Sequence, residues 1–274
     1  MTRHSTSTSW VLALGLMLTV GVAPSYGQDT ADDDATLRVA EPDFVLINLP
    51  TNMPLPVNRT NFHLTHRFNL NLRQTDFSDQ VQNLFGLDNG ANIGLEFRYG
   101  VARHLQAVVQ RTSIGKVIQF SAKYDGLHQT ESRHYGLSFV ASVEGDDNFK
   151  GSHAPALGVV ASGTVADWLA VYVTPMWVHN TSTAVTPEGN TGLLGLGARV
   201  RLLEATYLIG EVAPRVGGFA IGDPEYGFAI EKRVGAHVFS LTFTNGASTT
   251  FRQLARGGVP GALYLGFNLT RKFF

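Results

Sequence analysis

The side chains that could do chemistry in this chain are nine histidines, scattered serines and twenty-two carboxylates, with no cysteine at all. The missing thiol excludes Cys nucleophiles and metal–thiolate centres outright. His63 and His66 are three apart, a spacing that aligns two metal ligands on a helix but sets them on opposite faces of a strand. Asp146 and Asp147, in "GDDN", lack the regular oxygen-ligand spacing of a calcium loop. Ser240 and His237 lie close in sequence, but no G-x-S-x-G, H-E-x-x-H or glycine-rich phosphate loop accompanies them. The expectation is no catalytic residue, no metal site and no cofactor. Asp32, Asp33 and Asp34 read as a solvated tail.

What remains is a set of charged residues with a shared address. Arg67, Glu96, Arg98, Lys123, Glu144, Arg199, Arg201, Glu211 and Glu231 sit on the polar side of segments in which apolar and polar residues alternate. In "NFHLTHRFNLNLR", Phe62, Leu64, His66, Phe68, Leu70 and Leu72 share one face, while Asn61, His63, Thr65, Arg67, Asn69, Asn71 and Arg73 share the other. "ANIGLEFRYG", "KVIQFSAKY" and "YGLSFVASVE" repeat the texture. Weaker members run from 105 to 112, 156 to 164, 169 to 178, 193 to 201, 206 to 212, 226 to 233 and 237 to 244, and 262 to 272 completes about twelve, an even number as barrel closure favours. Soluble strands usually run about 5–6 residues; a membrane-crossing strand needs roughly 9–11, and the clearest of these segments reach that length.

The elements that must position those charges are therefore strands whose oily faces meet lipid and whose polar faces line a lumen. Bulk composition alone would pass for a soluble protein, with 44% hydrophobic residues and a net charge of -1, and a mean hydropathy of +0.02. That near-neutral charge argues against a nucleic-acid partner. Trp10 to Val20 is an apolar run behind Arg3 and His4 and ahead of small residues, which reads as a signal peptide over residues 1–27. Residues 28–59 form an acidic and then Pro-rich segment, extended and mostly irregular, and residues 60–274 form the barrel.

Loop lengths test the barrel independently. If both termini lie on one side, one set of connections is "GVARH", "DGLHQTESR", "VAD", "LLE" and "RVGA", nearly all short; the other set, apart from "SIG", is long. A soluble sandwich has no reason to sort loop length by parity. Within the first long connection, Phe77, Val81, Leu84 and Phe85 recur at helical spacing, with Asp76 or Ser78 as cap and Gly86 as stop. A short amphipathic helix over 76–86 follows, suited to a constriction or to the membrane interface. Tyr99, Tyr124, Trp168, Trp177, Tyr226 and Phe273 fall at strand ends and suit interfacial girdles.

The stretches "HRF" at 66–68, "NLFGLDNGANIGLEFRYGV" at 83–101, "KYDGL" from Lys123, "AHVFSLTFTN" at 236–245 and "GFNLTRKF" from Gly266 resemble an uncharacterised bacterial envelope β-barrel family, domain of unknown function 5777. The resemblance covers most of the mature chain. It implies an envelope β-barrel of a Gram-negative bacterium and brings no established substrate or catalytic residue. The sequence reading is thus an all-β protein: an antiparallel up-and-down transmembrane barrel of about twelve strands, preceded by a signal peptide and a Pro-rich segment. It is placed in the outer membrane as a passive channel or transporter for small solutes. The alternatives are a non-conducting structural or binding barrel that uses its long outer loops, and a barrel enzyme acting on envelope lipid. Its expected partners are membrane lipid, a small solute and the barrel-insertion machinery. That machinery would read Phe267, Leu269, Phe273 and Phe274 in the closing strand, although Phe274 stands one step out of phase. Deletion of Phe273 and Phe274 is expected to cut outer-membrane assembly, measured as the heat-modifiable fraction in membranes; normal assembly of the truncated chain would refute that signal.

Overall fold

The structure, a computed structural model, describes residues 39–85, 90–130, 132–182, 189–218 and 223–274. The signal peptide read over 1–27 and the acidic start of the following segment lie outside the described residues. Strands adjacent in the wall hydrogen-bond antiparallel to one another. In order they are β1 (Thr60–Asn71), β2 (Ala91–Ala102), β3 (Leu105–Thr112), β4 (Ile118–Leu127), β5 (Tyr135–Gly145), β6 (His153–Ala166) and β7 (Leu169–His179). There follow β8 (Asn190–Leu203), β9 (Thr206–Ala213), β10 (Arg215–Gly218), β11 (Glu225–Val234), β12 (His237–Thr244) and β13 (Tyr264–Phe273). β1 pairs with β13, and the β8–β9 ladder joins the two ends of the sheet, so the wall is closed. β9 and β10 occupy one wall position: Pro214, without an N–H, interrupts the strand, and β10 continues against β8. The result is a closed antiparallel barrel of twelve wall positions.

Period-two alternation is the reason for the two-faced wall. In β2, Ile93, Leu95, Phe97 and Tyr99 point outward and are exposed, while Asn92, Glu96 and Arg98 point inward and are buried. The same inversion of soluble-protein logic recurs in β4, where Phe120 and Tyr124 are exposed and Gln119 and Lys123 buried. An outward apolar row is stable only where lipid replaces water. In β1 the alternation of burial holds to Arg67 and then breaks, with Phe68 and Leu70 buried and Asn69 exposed. A register shift against β13 between Arg67 and Asn71 accounts for the change of phase.

Tight turns at one end separate β2–β3, β6–β7, β8–β9 and β11–β12, and both barrel termini lie at this end. His104, Ala205 and Gly235 take positive φ there (69°, 55° and 55°), as two-residue hairpin turns require. The long connections are at the other end. In the first of them α1 (Phe77–Gln82) stops at Gln82, and Asp76 sits at the N-cap with no side-chain cap hydrogen bond. Its Phe77 and Val81, with Leu84 and Phe85 just beyond, are exposed, so this insert does not fold into the barrel. Tyr99, Tyr124, Trp168, Trp177 and Phe273 are all exposed near strand ends, while Tyr226 is half-buried.

Two pieces of chain enter the interior. The sequence assigns 28–59 to an extended segment ahead of the barrel. Its described part is irregular and runs inside the wall, with Val39, Ala40, Phe44, Leu46, Ile47 and Leu49 almost completely buried. From the opposite end the β12–β13 connection folds inward and carries α3 (Phe251–Arg256), whose Leu254 and Ala255 are buried against the same core. A further single turn, α2 (Asp146–Phe149), lies in the β5–β6 connection, with positive φ at Asp147, Asn148 and Phe149, and a short turn at Ile114–Lys116 joins β3 to β4.

Candidate functional site: the occupied lumen

The interior is organised around a hairpin in "DFVLINLPTN". Val45 and Pro50 form an antiparallel bridge, Thr51 N donates to Phe44 O at 2.9 Å, and Leu46 N donates to Leu49 O at 2.8 Å. The tip, Leu46 to Leu49, points its next three amides at one carboxylate. Ile47 N and Leu49 N donate to Glu211 Oε2 at 3.0 and 3.1 Å, and Asn48 N donates to Glu211 Oε1 at 2.9 Å. A buried carboxylate needs such donors, and buried amides need such an acceptor.

The wall satisfies the hairpin's carbonyls with cations and amides. Arg199 donates to Val45 O at 3.1 Å, Asn268 to Ile47 O at 3.0 Å, and Arg67 to Ile47 O at 3.3 Å and Asn48 Oδ1 at 3.2 Å. Lys123 Nζ donates to Thr51 O and Met53 O at 2.8 and 2.7 Å. Lys272 donates to Pro42 O at 2.6 Å and Tyr172 Oη to Ala40 O at 2.7 Å. The other side of the hairpin is apolar: Leu46, Ile47 and Leu49 pack in one core with Ala156, Ala170, Met176, Leu193 and Ile209 of β6 to β9. Two glycines of β8 make room. A Cβ on Gly195 would stand 2.6 Å from Leu49 Cδ2, and one on Gly197 would collide with Leu46 Cδ1.

The charged residues singled out in the sequence are distributed as follows. Arg67, Glu96, Arg98, Lys123, Glu144, Arg199, Glu211 and Glu231 are all buried in the interior, and Arg201 is half-buried with its guanidinium 5.7 Å from the Tyr207 ring. Wall pairs are Arg98–Glu96 at 2.7 Å, Lys123–Asp125 at 3.3 Å and Arg199–Glu231 at 3.2 Å. Glu144 pairs instead with Arg252 of α3 at 3.1 Å. His63 is buried between Thr270 and Thr65, whereas His66 stacks outside on Phe267; the two imidazoles are on opposite faces. Among the described residues no three His, Asp or Glu side chains group to hold a metal. Phe267 and Leu269 lie in the outward row of β13, Phe273 ends that strand, and Phe274 lies beyond it.

Several interior residues had no signal strong enough to single them out. Lys272, Asn268 and Thr270 occupy the polar face of β13 that the alternation defines, but nothing local marks them as holding Pro42, Ile47 and Asp43. Arg252 lies in a loop without periodicity. Its partners Glu144 and Asp146 are more than a hundred residues away in the chain.

The α3 connection closes the lumen from the long-loop end. Thr250 caps the helix by accepting from Gln253 N, Gln110 donates to Thr249 O at 2.6 Å, and Asn92 donates to Ala247 O at 2.6 Å. Between this connection and the hairpin lies a cavity of about 40 Å³, lined by His63, Thr65, Glu96, Arg98, Gln110 and Gln119 among others. That is room for a few waters and no more. At the short-turn rim, His128 stacks on His104, and its imidazole is held below the ordinary value, chiefly by burial and against the pull of Asp125.

These features define a class: a closed membrane-spanning β-barrel with a polar inner wall and an occupied lumen. The chain matches the family model described as "Membrane bound beta barrel domain (DUF5777)" over residues 43–273, and it belongs to that family. The match begins at Asp43 rather than at β1, so the hairpin is part of the family domain. A search of curated proteins finds no match. Among solved structures the chain is similar to the KdgM porin, with 9% identity, 78% of this chain and 99% of that one covered, and a TM-score of 0.51. It is similar to the NanC porin at 6% identity, 79% and 100% coverage and a TM-score of 0.51. An outer membrane channel from Pseudomonas putida F1 gives 11%, 80% and 97%, and 0.51. At these identities what is shared is the fold.

Replacing Glu211 by Ala removes one acceptor from three buried amides. The cost to the seated hairpin should be about 3–5 kcal/mol, as for breaking a buried charged partner. Limited proteolysis of the folded Glu211→Ala barrel should then cut between Phe44 and Leu49 where the parent resists. Equal resistance would show that the carboxylate does not hold the tip.

Proposed function

We propose that this protein is a passive channel for small solutes in the outer membrane of a Gram-negative bacterium, closed in the state described by its own N-terminal hairpin. One observation carries the reading: Lys123 and Glu211 spend their hydrogen bonds largely on the backbone of a separate piece of chain, and Arg67 reaches Ile47 O and Asn48 Oδ1 of that piece as well as Asn268 Oδ1 of the wall. Eight-stranded barrels fill with their own side chains and sixteen-stranded barrels hold open water; at twelve, removal of the hairpin leaves a polar passage. In that passage Arg67, Glu96, Arg98, Lys123, Arg199, Glu211 and Glu231 set ion selectivity, and the Arg98–Glu96 and Arg199–Glu231 pairs stiffen the wall. The similarity to porins supports a transport role over an enzymatic one. One similar structure is titled the KdgM porin in complex with disordered oligogalacturonate, at 10% identity and a TM-score of 0.50, and a small solute is the partner inferred here. Export by the N-terminal signal and insertion through the closing strand complete the reading.

A second reading, a non-conducting barrel that binds a partner through its long loops, is favoured by the closure of the lumen from both ends. Planar-bilayer recording separates the two. Leu46→Asp with Leu49→Asp places two carboxylates against the aliphatic wall at a cost of several kcal/mol each, enough to expel the hairpin. The parent should stay closed with rare openings. The double variant, with Arg252→Ala and Gln110→Ala added to release the α3 connection from Glu144 and Thr249, should give stable unitary steps whose cation-to-anion preference shifts with Arg98→Ala. A folded, inserted variant with all of these releasing changes that never conducts would overturn the channel in favour of the binding barrel.

A further inference from the structure

The manner in which the hairpin is held says more than that the lumen is closed. We infer that the inner wall is a binding site for polypeptide, and that short aliphatic peptides are the ligand class it accepts once the hairpin leaves; this rests on the hairpin being displaceable, as in the channel reading.

Recognition of the hairpin is mostly recognition of its main chain. The carbonyls of Ala40, Pro42, Val45, Ile47, Thr51 and Met53 each accept from a wall side chain. Those donors come from β4, β7, β8 and β13, so they surround the segment, and Glu211 on β9 takes three successive N–H groups. Contacts to peptide carbonyls and amides give affinity to any chain of suitable course, and pockets for side chains give selectivity.

The pockets are present as well. Gly195 and Gly197 leave two niches on β8 that Leu49 and Leu46 fill, and the floor around them is Ala156, Ala170, Met176 and Ile209. Of the tip residues only Asn48 presents a polar side chain, and Arg67 and Glu225 meet it. A saccharide has no series of N–H donors for Glu211 and gains nothing from an aliphatic floor. A simple ion uses neither niche. A peptide with aliphatic side chains three residues apart uses all of these features together. With the hairpin gone, Glu211, Arg199 and Arg67 lose these main-chain partners, and a second peptide restores them.

The test begins with a barrel that has folded with its hairpin in place. A site-specific protease sequence inserted at the exposed turn of Val57 and Asn58 allows the segment to be cut free after folding. Fluorescence anisotropy then follows a labelled heptapeptide of residues 44–50, Phe-Val-Leu-Ile-Asn-Leu-Pro. It should bind the cut and washed barrel and fail to bind the uncut one. Asp at its third and sixth residues, or Gly197→Leu in the wall, should weaken binding at least about tenfold, which is about 1.4 kcal/mol or more. Should the cut segment stay seated, the uncut Leu46→Asp/Leu49→Asp chain, with its hairpin expelled, takes the same peptide in trans. Absence of binding to a barrel whose lumen is vacated, or equal binding of the parent and Asp peptides, overturns the inference. Conductance is read separately. A vacated barrel that conducts but ignores the peptide sinks the peptide site and leaves the channel; one that binds peptide yet never conducts does the reverse.

Discussion

Everything in this barrel follows from a constraint of size. A closed wall of twelve strands encloses more space than its own inward side chains can fill, yet the strands carry charges there that need partners or water. The chain meets both needs with main chain. The hairpin and the residues flanking it supply six carbonyls to the wall's donors, its tip gives three amides to Glu211, and its aliphatic edge fills the glycine-carved side of the lumen. The inner wall is accordingly of two kinds. It is polar along β1 to β4 and β13, and largely aliphatic along β6 to β9, and the hairpin is amphipathic to match.

The two insertions divide the work of closure. The hairpin is secured to the strands nearest the termini through Asn268, Thr270 and Lys272 of β13, so the strand that faces lipid with Phe267 and Leu269 holds the hairpin with its other face. The α3 connection is secured by the buried guanidinium of Arg252 on Glu144 together with the wall amides of Asn92, Gln110 and Gln119. Buried pairs of this sort fix position more than they add stability. The few-water cavity between the insertions marks where the two nearly meet. The ladders of the wall run between neighbouring strands and not through the interior.

The wall was legible in the sequence and its contents were not. Alternation over ten or so residues is a local signal, and β1, β2, β4 and β5 carry it plainly because lipid outside and charge inside demand opposite residue types. Loop length by parity added topology. The hairpin has no such signal. "DFVLINLPTN" has no periodicity, and its Pro50 reads as a breaker; its burial comes from β8, β9 and β13, more than a hundred residues away. Gly195 and Gly197 weakened the strand signal of β8 for the very reason they matter, since each gives up a side chain to admit a leucine. The nine charged positions were found through alternation, but Arg67, Lys123, Arg199 and Glu211 hold main-chain atoms of the hairpin, and main chain leaves no residue type to read. The phase change at Phe68 in β1 was equally hidden, because it arises from register against β13.

The most direct measurement uses the absence of cysteine from the chain. Leu46→Cys and Gly197→Cys place two thiols where the tip leucine meets its niche, and oxidation of intact outer membranes followed by a mass shift on cleavage between 57 and 60 reads whether they join. Near-complete cross-linking, with both thiols closed to a water-soluble maleimide, is the expected result for a hairpin seated in the lumen. No cross-link, with the thiol at 46 freely labelled while the barrel remains folded, would mean that the hairpin is not inside and that the charges of the wall face water.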